Sequence, residues 1–149
     1  MALASALGRH LPTRAVVWLQ GDLGAGKSTF ARALLRVLGV DGAIRSPTYT
    51  LVERYDIPGG EAFHLDLYRI GGAGELEFLG IEPDEGRLWL VEWPDRGIGA
   101  LPHPDLIVDL EVQGRGRGAR LQARSGTGER WLQALAEPET VLTKVPGND

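Results

Sequence analysis

Gly21-Asp22-Leu23-Gly24-Ala25-Gly26-Lys27-Ser28-Thr29 is the stretch on which the fold turns. It fits the pattern G-x-x-x-x-G-K-[ST], known as Walker A. The glycines allow consecutive backbone N–H groups to point into one concavity, and a helix starting behind it adds a dipole that favours anions. A triphosphate suits such a cradle. Lys27 would reach its β- and γ-phosphates as a point charge, and the Ser28 hydroxyl would ligate the Mg²⁺ that bridges them. Asp22, Leu23, Gly24, Ala25, Gly26 and Thr29 complete the expected nucleotide-binding loop.

The flanks supply the required context. Ala15-Val16-Val17-Trp18-Leu19 is a short apolar, partly β-branched run that reads as a buried strand ending at the loop. Beyond the loop, Phe30, Ala31, Leu34, Leu35 and Leu38 recur at helical spacing, with Arg32 and Arg36 opposite and Gly39 as a stop. A glycine turn that merely exposes a lysine would not need strand, loop and helix in this order.

Bulk properties set the frame. With 149 residues and 43% hydrophobic content the chain can bury one ordinary core, so one domain is expected over residues 1–136. Residues 137–149, rich in proline and polar side chains, read as a flexible tail. A formal charge of −4 provides no global attraction to nucleic acid or to anionic membranes. The absence of cysteine excludes disulfides, thiol catalysis and cysteine-ligated zinc, and it fits a reducing compartment. No apolar run approaches about 18 residues and residues 1–11 lack a secretory pattern, so a cytoplasmic protein without a membrane partner is expected.

Outward from the loop, Leu3, Leu7 and Leu11 indicate a first helix closed by Pro12, and residues 41–46 form a loop. Residues 49–57 and 62–68 read as a hairpin around Asp56-Ile57-Pro58-Gly59-Gly60. In its second arm Phe63, Leu65 and Leu67 share the face expected to be core, while His64, Asp66 and Tyr68 share a face expected to be open for chemistry. Residues 75–80 suit a short helical turn. Leu88-Trp89-Leu90-Val91 is continuously apolar and ends on Glu92, the shape of a Walker B element. Residues 106–112 and 119–123 are further strands about a glycine and arginine turn at 113–118, and residues 127–135 a last helix. The fold expected is α/β, a P-loop NTPase-like three-layer arrangement with a mixed, mostly parallel sheet and additional antiparallel strands.

Phosphoryl transfer asks a protein for positioning and charge neutralisation more than for covalent chemistry. Glu92 ends a hydrophobic strand, where an acid is costly unless it faces a cation or the cleft; the alternative is a strand-end carboxylate held by an arginine or by backbone N–H groups. Asp66 lies mid-strand on the polar face, in a nucleotide-site or a structural hydrogen-bonding role. Thr48 is placed like a threonine that senses a γ-phosphate. Trp93 is either an aromatic plug or a nucleotide contact. His64, with no metal-ligand spacing around it, reads as a hydrogen-bonded strand histidine. Arg115, Arg117, Arg120 and Arg124 read as a solvated hairpin turn in preference to an RNA-binding patch. Spacing leaves open which of Asp66 and Glu92 meets Mg²⁺ and which orients water.

Four stretches in order, the glycine loop with Phe30, Ser46-Pro47-Thr48-Tyr49-Thr50-Leu51-Val52, His64-Leu65-Asp66-Leu67-Tyr68-Arg69 and Val91-Glu92-Trp93-Pro94, make the chain resemble the TsaE (YjeE) family of small bacterial P-loop ATPases. The resemblance implies ATP hydrolysis in support of N6-threonylcarbamoyladenosine formation on tRNA, with TsaD and TsaB as partners and tRNA met only through their complex. It implies ATP and Mg²⁺ as ligands. It also implies roles for Lys27 at the phosphates, Thr48 as a switch-like residue, Ser28, Asp66 and Glu92 around the metal and hydrolysis, and Trp93 near the nucleotide. Ser28 stands where the family often has threonine, and either hydroxyl can ligate Mg²⁺. Partner contacts are expected near Thr48 and over residues 75–82.

Three other readings compete. A nucleotide-dependent assembly factor would act by binding rather than by hydrolysis. A small nucleotide kinase shares the loop but leaves the threonine and acid motifs unexplained. A GTPase would use Asp56-Ile57-Pro58-Gly59 as D-x-x-G, yet Pro58-Gly59 reads as a turn and no N-K-x-D motif follows, since Thr143-Lys144-Val145-Pro146 lacks the aspartate.

Overall fold

The computed structural model describes residues 2–114 and 116–136. Its elements are α1 (Ala2–Arg9), β1 (Ala15–Gln20), α2 (Lys27–Val37), β2 (Val52–Ile57), β3 (Gly60–Asp66), β4 (Leu88–Glu92), β5 (Leu106–Gln113), β6 (Gly116–Ala123) and α3 (Gly126–Leu135). Two 3-10 segments, Ala73–Leu79 and Pro94–Gly97, flank β4 in the chain. The strands form one sheet in the order β2-β3-β4-β1-β5-β6. The inner four run parallel, and β2 and β6 fold back antiparallel as hairpin partners at the edges.

Strand composition explains this order. Every residue of β4 is buried, and Ala15, Val16 and Val17 of β1 are buried in succession, as central parallel strands covered on both faces must be. The edge strand β2 instead carries Glu53, Arg54 and Asp56, charges that discourage pairing with another chain. All three α-helices pack on one face, where Leu7, Phe30, Leu34 and Trp131 meet Val17, Leu19, Leu90 and Val108. On the other face Val16, Phe63, Leu65, Trp89 and Val91 are covered by Leu67, Ile70 and Leu76, so the third layer is made of 3-10 turns and loops. Among the described residues, no helix is long and apolar enough to cross a membrane.

Several local expectations are corrected. The face of β3 that carries His64 and Asp66 is covered along most of its length and meets a cleft only at its carboxyl end, at Asp66: both residues are buried, because β3 lies inside the sheet and this face is on the helix side. Tyr68, placed on that face by alternation, lies beyond the end of β3 and is exposed. Strand β2 begins at Val52, since residues 47–51 form a turn closed by the Leu51 N–H donating to the Pro47 carbonyl at 2.9 Å. The turn expected at 113–118 is also narrower, since β5 runs to Gln113 and β6 starts at Gly116, which puts Arg117 in a strand. Arg115 and the tail expected at 137–149 lie outside the described residues.

Asp105 fixes where β5 and α3 start. Its carboxylate accepts from Val16 N at 2.8 Å and from Ser125 Oγ at 2.7 Å, while Ser125 Oγ caps α3 by accepting from Gly128 N at 3.0 Å. A Cβ on Gly128 would stand 1.9 Å from the Asp105 carbonyl oxygen, a backbone atom that cannot swing aside. Gly128→Ala is therefore expected to destabilise the fold by about 3 kcal/mol, read as a lowered urea midpoint with an unchanged m-value.

Candidate functional site

The carboxyl ends of β1, β3 and β4 open onto one cleft of about 530 Å³. The glycine loop forms its wall. Gly21 has φ +140°, and a Cβ there would stand 2.3 Å from the Leu110 carbonyl oxygen, so the turn out of β1 requires glycine. Gly26, at φ 104°, opens α2 without a side-chain cap, which leaves the first amides of the helix to an anion.

Lys27 is buried, and its ammonium donates to the carbonyls of Gly21 at 2.5 Å and Asp22 at 3.0 Å. The same nitrogen sits 4.4 Å above the Trp93 ring. Burial pulls the Lys27 pKa below its usual value, against the opposing pull of Glu92, Asp66 and Asp22. Trp93 takes a left-handed backbone, φ 57° and ψ 53°, rare for a bulky residue. That turn ends β4 and lays the indole against Lys27 and Tyr68, the latter at 4.9 Å between ring centroids.

Ser28 Oγ donates to the Glu92 carboxylate, 3.0 and 3.1 Å from its two oxygens. Glu92 Oε2 lies 2.6 Å from His64 Nε2, and both residues are buried. His64 Nδ1 has no partner among the described residues. With a hydrogen on Nε2 the ring donates to the Glu92 carboxylate. The expected hydrogen-bonded strand histidine is present, and its partner is the acid at the strand end.

Asp66 stands beside Glu92 in the β3–β4 register. Its Oδ1 accepts from Tyr68 N at 3.0 Å. Burial raises its pKa above the ordinary carboxylate value, and the Glu92 charge adds to the rise. The native carboxyl thus holds its proton more tightly than the unfolded one. Between the ordinary aspartate value and the raised one the native state binds more protons, so stability falls as pH rises through that window. Asp66→Asn keeps the acceptor for Tyr68 and removes the buried charge. It is expected to stabilise the ligand-free protein at pH 7 by about 1 kcal/mol, visible as a higher thermal midpoint.

Thr48 reaches the cleft from the turn at 47–51, its hydroxyl 2.6 Å from Ser46 Oγ. Leu51 closes that turn in a left-handed conformation, φ 68°, and its carbonyl accepts from Asp66 N at 3.1 Å. The threonine turn is thereby tied to the backbone of the acid.

Lys27, Ser28, Thr29, Thr48, Asp66, Glu92 and Trp93 all line this cleft, together with Leu23, Gly24 and Gly26. Asp22 and Ala25 do not line it: the Asp22 carbonyl holds Lys27 and accepts from Ala25 N, and the Ala25 side chain is buried in the core. Tyr68 and Arg69 line the cleft as well, and sequence reasoning assigns them no binding role although they lie only two and three residues beyond Asp66. Arg120 and Arg124 do not line it. Among the described residues no group of three or more His, Cys, Asp or Glu could hold a metal ion. One hydroxyl beside one carboxylate instead suits a hard cation that keeps waters and takes its remaining oxygens from a phosphate ligand.

A family model described as "Threonylcarbamoyl adenosine biosynthesis protein TsaE" matches residues 1–121. A tRNA threonylcarbamoyladenosine biosynthesis protein TsaE from Haemophilus influenzae is 40% identical over 129 residues, covering 85% of this chain and 82% of the relative. One of the same description from Aquifex aeolicus is 40% identical over 112 residues, covering 74% and 77%. Among solved structures, the crystal structure of Bacillus subtilis YdiB superimposes with a TM-score of 0.71 at 25% identity, over 91% of this chain and 86% of that one.

Proposed function

The chain belongs to the TsaE family of tRNA threonylcarbamoyladenosine biosynthesis proteins, and on that footing we propose that it binds and hydrolyses ATP to drive turnover of the TsaD and TsaB proteins on tRNA. The observation that carries this reading is the contact between Ser28, on the glycine loop, and Glu92, at the end of β4. It joins a phosphate cradle to a buried acid beside Asp66 and Thr48, which a phosphate-binding loop alone would not need.

When nucleotide binds, the Lys27 ammonium leaves the Gly21 and Asp22 carbonyls for the β- and γ-phosphates, and the uncapped amides of α2 hold the phosphate chain. Ser28 and Glu92 would hold a Mg²⁺, which would supply positive charge against the charge developing on the phosphoryl group. Asp66, whose proton affinity is raised by burial, is suited to orient water and take up a proton. Thr48, linked through Leu51 to the Asp66 backbone, couples the terminal phosphate to the surface turn at 47–51. That turn carries Tyr49, 82% exposed, and the first 3-10 segment carries Phe78, 88% exposed; both are suitable for partner contact. The site of action proposed is the cytoplasm, with no membrane involved.

Reconstitution tests the role. With TsaD, TsaB, tRNA and the small-molecule substrates, modification is expected to stop near one round per complex without this chain and to continue through many rounds with it and ATP. Equal multiple turnover in its absence would remove the proposal.

A further inference from the structure

Among the described residues, Lys27 and Arg69 are the two cations that line the cleft, and only Lys27 belongs to the glycine loop. The backbone around Arg69 is firmly placed. Tyr68 N donates to Asp66 Oδ1 at 3.0 Å, Leu67 N donates to the Glu92 carbonyl at 3.1 Å, and Ile70 N donates to the Leu67 carbonyl at 3.2 Å. Leu67 and Ile70 are buried on either side. Arg69 itself is exposed, and among the described residues no carboxylate or carbonyl accepts from its guanidinium. Its contact is with the ring of Tyr49, 5.0 Å from the guanidinium carbon. Other arginines use their forks structurally: Arg96 donates to the Tyr68 carbonyl and Arg36 to the carbonyls of Val40 and Gly42. Arg69 therefore has a fixed root, a free five-donor fork and a place at the mouth of the cleft.

The charge balance gives that fork a role. Lys27 faces both Asp66 and Glu92, so the loop lysine alone leaves little positive charge to spare for an arriving phosphate chain. Transfer of a terminal phosphoryl group spreads charge over three equatorial oxygens, and a planar fork meets two of them where an ammonium meets one point. Resting on the ATP-hydrolysis reading, we propose that Arg69 is the second cation of the site, supplied by the chain itself to the terminal phosphoryl group. Tyr49, adjacent to Thr48, holds it at the lip until nucleotide is bound. In the step it serves, a water oxygen bonds to the terminal phosphorus and the bond from phosphorus to the bridging oxygen breaks. The electron pair leaves with ADP, and the water proton ends on inorganic phosphate or solvent. Arg69 stays protonated throughout.

The test is calorimetric binding of ADP with Mg²⁺, alone and with aluminium fluoride as a mimic of the planar phosphoryl group, beside ATP hydrolysis. The full chain would be compared with Arg69→Ala, Arg69→Lys and a surface charge control, Arg54→Ala. The expected result for Arg69→Ala is ADP affinity within about twofold of the parent, loss of at least roughly tenfold of the tightening given by aluminium fluoride, and a kcat lowered about a hundredfold or more at similar KM. Arg69→Lys should fall between, and Arg54→Ala should match the parent. Retained tightening and kcat in Arg69→Ala would overturn the proposal while leaving ATP hydrolysis standing. An equal loss for ADP with and without fluoride would also overturn it, because the arginine would then anchor the ground state. Failure of the parent to hydrolyse ATP and to tighten with fluoride would overturn this proposal and the hydrolysis reading together.

Discussion

Glu92→Gln is expected to lower ATP hydrolysis by about 10²–10⁴-fold while nucleotide affinity changes only a few-fold. The substitution keeps the shape of the side chain but replaces one acceptor oxygen by a donor, in a place where both neighbours donate. Ser28 Oγ lies 3.0 and 3.1 Å from the two carboxylate oxygens and His64 Nε2 lies 2.6 Å from Oε2. One of the two must reorient or lose its partner, and the negative charge that would face Mg²⁺ is gone. The glycine loop and Lys27 are untouched, so binding survives. Single-turnover phosphate release and calorimetric nucleotide binding give the two numbers. The same variant decides between hydrolysis and binding as the working step: if Glu92→Gln stops hydrolysis yet sustains many rounds of tRNA modification, the chain is a nucleotide-dependent assembly factor.

Lys27→Ala should show the opposite split, with loss first in binding. Two charge-assisted contacts to phosphate at about 1.5 kcal/mol each correspond to a loss of affinity of roughly a hundredfold or more. The fold should survive, because burial already disfavours the charged lysine and the carbonyls it holds belong to a surface loop. A thermal melt with and without ATP and Mg²⁺ checks both halves. The parent midpoint should rise with nucleotide, whereas the variant should melt near the parent's ligand-free temperature and show no rise. A preserved nucleotide-induced rise would show that the lysine does not contact the phosphates.

Much of this architecture is local and so can be read along the chain. Ala15 to Leu19, the glycine loop and the helix from Lys27 each carry their own periodicity, and the apolar run into Glu92 marks a central strand. The burial of His64 and Asp66 cannot be read in that way. Alternation correctly separates Phe63 and Leu65 from His64 and Asp66, but only the strand order shows that β3 is interior and that its second face also lies under a layer. The His64–Glu92 pair has the same origin: the residues are 28 apart in sequence and meet because β3 and β4 pair in parallel with Asp66 opposite Glu92. The third layer is hidden for a different reason. Residues 67–87 and 93–101, on either side of β4 in the chain, cover the sheet with 3-10 turns and loops whose apolar residues, Leu67, Ile70, Leu76 and Leu101, follow no single period. Arg69 carries no signal of its own, since a free exposed arginine looks the same in sequence whether it lines a cleft or faces bulk water.

The hold that Gly21, Asp22 and Trp93 keep on Lys27 makes the loop its own competing ligand. An arriving anion has to displace two carbonyls and an indole before it gains the ammonium. Chloride or a single carboxylate offers too little in exchange, while a polyphosphate brings enough acceptors to stand in for both carbonyls and to engage the helix amides as well. In the proposed cycle the exchange would also run in reverse: as ADP departed, the returning lysine would re-form its internal bonds and clear the cradle. On the proposed reading, selectivity against small anions and prompt release of spent nucleotide would thus come from one side chain with two alternative seats.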